Sequence, residues 1–256
     1  MREILRTENI TKRFGGLIAV NNVTISIERG SITAIIGPNG AGKTTFLNLI
    51  SGVIYPDSGR IYFEGRDITR KPPYERAKLG ITRSFQNIGV LQSLTVFDNI
   101  RASIIGIRIS TSFSNMVNIF RRKNDRELYN EIHEIIDKMG LRDKEWSLVQ
   151  RLNQAEQRVL DIAMAIAAKP KLLLLDEPTS GLAAEDVPRI IKLIKSLKEA
   201  IHGITVILVE HKLEVVKSLA DRVIVMHEGG ILADGSYHDV VSNREVVEVY
   251  LGASIA

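Results

Sequence analysis

Gly37-Pro38-Asn39-Gly40-Ala41-Gly42-Lys43-Thr44-Thr45 fits the pattern G-x-x-x-x-G-K-[ST] of a phosphate-binding loop. Directly before it, Ser31-Ile32-Thr33-Ala34-Ile35-Ile36 is a short apolar, β-branched run that reads as a buried strand. Directly after it, Phe46, Leu47, Leu49 and Ile50 are apolar at helical spacing. Strand, glycine loop and helix together form the context the pattern requires. Glycines 37, 40 and 42 tolerate the positive φ of a loop whose N–H groups face inward. The helix beginning near Lys43 adds unpaired N–H donors and a positive partial charge. Lys43 is therefore expected to reach the β- and γ-phosphates of a nucleotide, and the Thr44 hydroxyl to ligate Mg²⁺. Asn39, Gly40, Gly42 and Thr45 belong to the same cradle.

The rest of the chain supports an α/β reading. Leu172-Leu173-Leu174-Leu175 and Thr205-Val206-Ile207-Leu208-Val209 are continuous apolar runs, suited to parallel strands buried on both faces. Val187, Ile190, Ile191, Ile194 and Leu197 mark an amphipathic helix between them. Val223–Met226 and Ile231–Ala233, joined through Glu228-Gly229-Gly230, read as a closing hairpin. Alternating strands and helices favour a mostly parallel sheet. Near the N-terminus, Val23, Ile25 and Ile27 alternate with polar residues, as in an antiparallel β-subdomain. Residues 66–156 lose the strand signal. Leu128, Ile132, Ile135, Ile136 and Met139 fall on one helical face there, while 103–125 looks irregular and carries the basic cluster Arg121-Arg122-Lys123.

Composition narrows the function. The chain has 256 residues, 45% hydrophobic and 25% charged, with a formal net charge of +4 and no cysteine. That is an ordinary soluble composition and excludes disulfides and thiolate metal sites. No clustered basic stripe argues for nucleic acid. The first residues lack the apolar segment of a signal peptide, and no apolar run reaches the roughly 18 residues of a membrane span. A role at a membrane would run through a partner.

Further residues carry chemistry. Asp176-Glu177 ends the Leu172–Leu175 strand, at the sheet edge where open α/β folds bind ligands. Asp176 suits Mg²⁺, directly or through water, and Glu177 can polarise an attacking water. His211 ends the next strand and can bond a γ-phosphate, although taken alone it reads more readily as a structural histidine with its hydrogen bonds satisfied. Gln86, in Arg83-Ser84-Phe85-Gln86, can reach the metal and the water, or serve as a helix-cap or surface amide. Phe14, in Lys12-Arg13-Phe14-Gly15-Gly16, can stack on a base, although its spacing equally fits a core phenylalanine.

In this order the motifs resemble those of the ATP-binding subunit of ABC transporters over essentially the full length. Phe14 matches that family's A-loop aromatic, Gly37–Thr45 its Walker A, Gln86 its Q-loop and Leu172–Asp176 its Walker B. Glu177 matches the catalytic glutamate, Ser180-Gly181-Leu182-Ala183 the D-loop, and His211 the switch histidine. Arg83–Gln86, the long insertion after it and the closing Val249-Tyr250-Leu251-Gly252 resemble the branched-chain amino-acid importer group.

The resemblance implies a P-loop NTPase with a mostly parallel central sheet, an N-terminal antiparallel β-subdomain and an inserted helical subdomain. Its single domain would span 1–256, with about 1–86 and 160–256 forming the nucleotide core and about 87–159 the helical part. It implies MgATP hydrolysis powering transport of a small solute, with import of branched-chain-type amino acids expected, through partners: a second ATPase subunit, identical or different, membrane permease subunits and, indirectly, a solute-binding protein. The location implied is peripheral, on the cytoplasmic face of the membrane. An ATP-clamping regulatory module and the ATPase of an exporter are the alternatives; Glu177 favours turnover.

One motif departs. Where the family signature reads Leu-Ser-Gly-Gly-Gln, this chain has Leu152-Asn153-Gln154-Ala155-Glu156. In the family that segment binds the γ-phosphate held by the other subunit. Asn153 and Glu156 retain the spacing of a reciprocal cap, whereas Gln154 and Ala155 are expected to add bulk where backbone should approach phosphate. Ala183 is a smaller departure in the D-loop.

Overall fold

The computed structural model describes residues 3–84, 89–111, 125–201 and 203–252. At its centre lie β3 (Ile32–Ile36), β6 (Ile81–Ser84), β7 (Leu172–Asp176), β8 (Thr205–Val209), β9 (Arg222–His227) and β10 (Gly230–Gly235). They form one sheet in the order β10-β9-β3-β8-β7-β6. All its pairs are parallel except the closing β9–β10 hairpin.

Every residue of β3, β7 and β8 is buried, because both faces of these strands are covered. Leu172 and Leu174 enter one core with Phe46 and Leu47, while Leu173 and Leu175 enter another with Ile132 and Val159. Ile207 and Val209 divide from Val206 and Leu208 in the same way. An uninterrupted apolar run is what a two-period strand needs when neither face meets water.

The first core is closed by α1 (Lys43–Ser51) and by a second, antiparallel sheet. That sheet comprises β1 (Glu3–Phe14), β2 (Leu17–Glu28), β4 (Ser58–Phe63) and β5 (Arg66–Asp67), in the order β2-β1-β4-β5. Val23, Ile25 and Ile27 point inward as their alternation predicts. The other core holds α3 (Val96–Thr111), α4 (Asp125–Lys138), α5 (Gln154–Ile166) and α6 (Val187–Ala200). Leu128, Ile132, Ile135, Ile136 and Met139 all face it. Between the sheets and these helices lies α2 (Pro73–Leu79), and α7 (Leu213–Leu219), α8 (Tyr237–Val241) and α9 (Arg244–Gly252) complete the chain. Among the described residues no helix is long and apolar enough to cross a membrane.

Two expectations change. Ile81–Ser84 is a strand of the main sheet, although it lies where the strand signal fades. Residues 103–111 are helical, not irregular. Val96, Phe97, Ile100 and Ile104 bury a face of α3, and the Ser103 hydroxyl donates across to the Met164 carbonyl at 2.8 Å. A serine that suggests a loop is here a helix-to-helix bond. The basic cluster at 121–123 lies outside the described residues.

Arg76 of α2 ties the layers together. Its side chain is fully buried and donates to the carbonyls of Leu49 (2.5 Å), Ile50 (2.8 Å), Thr69 (3.0 Å) and Lys71 (2.8 Å). Leu49 and Ile50 are in the last turn of α1, whose carbonyls have no intrahelical partner. Burial pulls the guanidinium pKa down to about 10, so it stays charged at neutral pH. Arg76→Met would strand those acceptors, and a loss on the order of 3 kcal/mol is expected in urea unfolding.

Asp161 on α5 is a second buried ionisable group, with Oδ2 lacking a hydrogen-bond partner among the described residues. Burial raises its pKa to about 6, against about 4 in an unfolded chain. Between those values the folded state holds more protons, so this group's contribution to stability falls as pH rises through that window. Asp161→Asn is expected to be the more stable protein at pH 7, with the difference vanishing below about pH 4 in urea titrations.

Candidate nucleotide site

The loop after β3 is built by its glycines. Gly37, Gly40 and Gly42 have φ of 148°, 80° and 98°. A Cβ on Gly37 would stand 2.1 Å from the Met226 carbonyl oxygen, and one on Gly42 2.2 Å from that of Ala19. Gly40 meets nothing within 4 Å, so only its dihedral calls for glycine. The α1 ladder opens with Phe46 N–H donating to the Gly42 carbonyl at 2.8 Å, with Gly42 as N-cap and no capping side chain. Lys43 is buried, and its ammonium donates to the carbonyls of Gly37 and Pro38, both at 2.8 Å. Desolvation lowers its pKa, opposed by the nearby carboxylates of Glu177 and Asp176.

A pocket of about 290 Å³ gathers Phe14, Asn39, Gly40, Gly42, Lys43, Thr44, Thr45, Glu177 and His211. Phe14 is 49% exposed at the end of β1, so it is not a core phenylalanine. The Lys12 ammonium lies 5.5 Å from its ring centroid. Thr44 is exposed in the first turn of α1. Gln86 lies outside the described residues.

Glu177 and His211 meet across adjacent strand ends. Asp176 pairs in register with Val209, and Glu177 N–H donates to the Val209 carbonyl at 2.9 Å. Glu177 takes a left-handed φ of 49°, an uncommon conformation for a residue with a side chain. Its Oε1 sits 2.8 Å from His211 Nε2.

Glu210, which sequence reading passed over, holds this pair in place. Its buried carboxylate accepts from Thr179 N–H (3.0 Å) and hydroxyl (2.6 Å), and from His211 N–H (3.1 Å). An acidic residue between a buried strand and a histidine was the available signal.

Asp176 lies behind the pocket, fully buried. Its Oδ2 accepts from Arg83 Nη2 at 2.7 Å, while Oδ1 is buried without a hydrogen-bond partner among the described residues. An orphaned carboxylate oxygen close enough to act on Lys43, the neighbour in sequence of the exposed Thr44 hydroxyl, suits a hard cation that prefers oxygen ligands. The residues present therefore fit Mg²⁺.

The signature stretch lies elsewhere: none of residues 153–156 lines the pocket. Asn153 caps α5 reciprocally, accepting from Glu156 N–H at 2.8 Å and donating its own N–H to the Glu156 carboxylate at 2.9 Å. Ala155 differs from expectation. Its methyl is buried in the core and adds no bulk at the exposed helix end. Gln154 is exposed and bends over the D-loop, its Nε2 2.8 Å from where a Cβ on Gly181 would stand.

The family profile described as ABC transporter matches residues 20–180, more than half of the chain. The chain belongs to the ABC transporter family. It is 40% identical to the probable branched-chain amino acid transport ATP-binding protein LivG of Archaeoglobus fulgidus, over 98% of this chain and 96% of that protein. The high-affinity branched-chain amino acid transport ATP-binding protein BraF of Pseudomonas aeruginosa is 33% identical, over 98% of each. Among solved structures, the ADP conformation of MJ1267, an ATP-binding cassette of an ABC transporter, superposes with a TM-score of 0.84 at 35% identity, over 98% of this chain and 100% of that one. The chain is thus an ATP-binding cassette with the fold of the P-loop ATPases.

The glycine geometry makes a graded expectation. Gly37→Ala and Gly42→Ala each drive a methyl into a carbonyl and should disrupt the loop, losing binding of a fluorescent ATP analogue. Gly40→Ala costs only left-handed strain of about 1–2 kcal/mol, and its melting temperature should stay closest to that of the parent.

Proposed function

We propose that this cassette binds and hydrolyses MgATP to power import of branched-chain-type amino acids, working from the cytoplasmic face of a membrane through permease subunits. The observation that carries the catalytic part is the Glu177–His211 contact at 2.8 Å, on the wall of the pocket that the Lys43 loop closes. The names of the relatives support the transport part.

In this reading Phe14 stacks on the base, and Asn39, Gly40, Gly42, Lys43, Thr44 and Thr45 hold the phosphates through loop N–H groups, ammonium and hydroxyls. Thr44 and Asp176, with Gln86, would hold Mg²⁺, which neutralises charge on the phosphate oxygens when bound. Lys43 releases the Gly37 and Pro38 carbonyls and turns its ammonium to the phosphate. Glu177 accepts a hydrogen bond from the attacking water and orients it. His211, held through its backbone by Glu210, exchanges its Nε2 contact with the Glu177 carboxylate for donation to the γ-phosphate. Phosphoryl transfer asks mainly for such positioning and charge stabilisation.

The signature favours a second feature, pairing with a different ATPase subunit. Residues 153–156 lie away from this chain's own pocket, and Gln154 projects where the family carries glycine. With an intact signature from a partner, this chain's loop, Asp176, Glu177 and His211 would form the competent site, and residues 153–156 would serve the poorer one. Purified chain should hydrolyse ATP slowly alone and faster when reconstituted with its partner ATPase and permease. Full activity of the chain alone would sink the asymmetric reading. Glu177→Gln should retain ATP binding while turnover in the complex falls by about 10²–10⁴-fold. Leucine uptake into vesicles holding the complex tests the substrate class.

A further inference from the structure

Arg83 is the residue of β6 whose contacts the nucleotide reading leaves unused. Its side chain is 6% exposed, and the Asp176 carboxylate it meets is 1% exposed. A buried ion pair gives little net stability, because desolvating both charges offsets their attraction. An apolar pair of similar volume would hold the sheet as well. The geometry points to what the guanidinium does instead.

Nη2 donates to Asp176 Oδ2 at 2.7 Å, and Nη1 to Asn48 Oδ1 at 2.5 Å, with Ser51 Oγ at 3.5 Å. Asn48 and Ser51 are on α1, the helix that opens with Lys43 and Thr44. Thr44 and Asn48 are four residues apart and so share one face of that helix. The planar fork of one arginine therefore spans from the Thr44 face of α1 to the end of β7. It ties down one oxygen of Asp176 and leaves Oδ1 buried and without a hydrogen-bond partner among the described residues.

We propose that Arg83 is a positioning residue for the metal: by bridging Asn48 and Asp176 it sets the separation of the Thr44 hydroxyl and Asp176 Oδ1. This rests on the reading of Thr44 and Asp176 as Mg²⁺ ligands. A lysine carries the charge but cannot reproduce the two-armed fork.

The test compares the full-length parent with Arg83→Lys and Asn48→Ala. Arg83→Lys keeps a cation beside Asp176, and Asn48→Ala leaves the ion pair whole, so neither strands a buried charge. A fluorescent ATP analogue is titrated at fixed Mg²⁺ concentrations and in EDTA, and Mn²⁺ bound with the nucleotide is followed by electron paramagnetic resonance. Both variants should need about tenfold more Mg²⁺ for half-maximal tightening of nucleotide binding, the usual scale for losing a group that orients a metal ligand. Affinity in EDTA should stay within about twofold, and the Mn²⁺ line shape should change. Unchanged Mg²⁺ requirement and line shape in both variants would overturn the proposal. Equal weakening with and without Mg²⁺ would also overturn it, since that marks a purely structural clamp. Asp176→Asn separates the two levels: if it leaves the Mg²⁺ requirement unaltered, the ligand reading fails, whereas failure of Arg83→Lys and Asn48→Ala alone removes only the bridge.

Discussion

Burial of β3, β7 and β8 on both faces is the constraint on which the rest of this molecule depends. A strand with no wet face accepts few polar side chains along its length, since each would need a buried partner. Functional polarity is therefore displaced to the carboxyl ends of the strands. There the chain leaves the sheet as the Gly37 loop, as Asp176-Glu177 and as Glu210-His211. Because the strands are adjacent and parallel, those three ends arrive side by side. The pocket is a consequence of the sheet's register, as the Asp176–Val209 pairing makes concrete.

Bringing three polar ends together creates buried charges that need partners. Lys43 is partnered by loop carbonyls, Glu210 by Thr179 and the His211 backbone, and Asp176 by Arg83. Two arginines also grip α1. Arg76 bonds the carbonyls of its last turn, and Arg83 bonds Asn48 and Ser51. The helix whose N-terminus follows the Gly37 loop is thus fixed along its C-terminal half by side chains from α2 and β6. Rigid support of this kind is what lets a short helix of nine residues hold a ligand-binding loop in one geometry.

Local pattern made the sheet and the loop legible, because apolar runs and glycine spacing are short-range properties. The Leu172–Leu175 run carries its burial in four consecutive residues. Contacts between distant residues were not legible. Arg83 meets Asp176 across 93 positions, and Glu210 meets Thr179 across 31; nothing local marks either. Phe14 could be core or surface on spacing alone, and only the end of β1 decides for the surface. Ser103 misled because its loop preference is overridden by a bond to the Met164 carbonyl. Ala155 misled for a related reason: which side of α5 it occupies depends on the cap at Asn153, and that phase turns its methyl inward.

The phase of α5 also sharpens what is unusual about the signature stretch. With Ala155 in the core and Glu156 engaged in the cap, Gln154 is the exposed side chain of the first turn. It lies against Gly181, whose φ of 75° and lack of a side chain leave room for it. Of the side chains that depart from the family pattern, the one exposed in the first turn of α5 is thus an amide seated on the chain's own D-loop. A helix end keeps its N–H donors and dipole whatever the side chain, so the change bears on access more than on charge. In the proposed dimer, a phosphate brought to this helix end would have to displace Gln154 from Gly181, and the D-loop would feel that displacement directly. If the proposed pairing of two ATPase subunits holds, the signature stretch and the D-loop are in this way joined within one chain, and a difference between the two sites would follow from a single side chain.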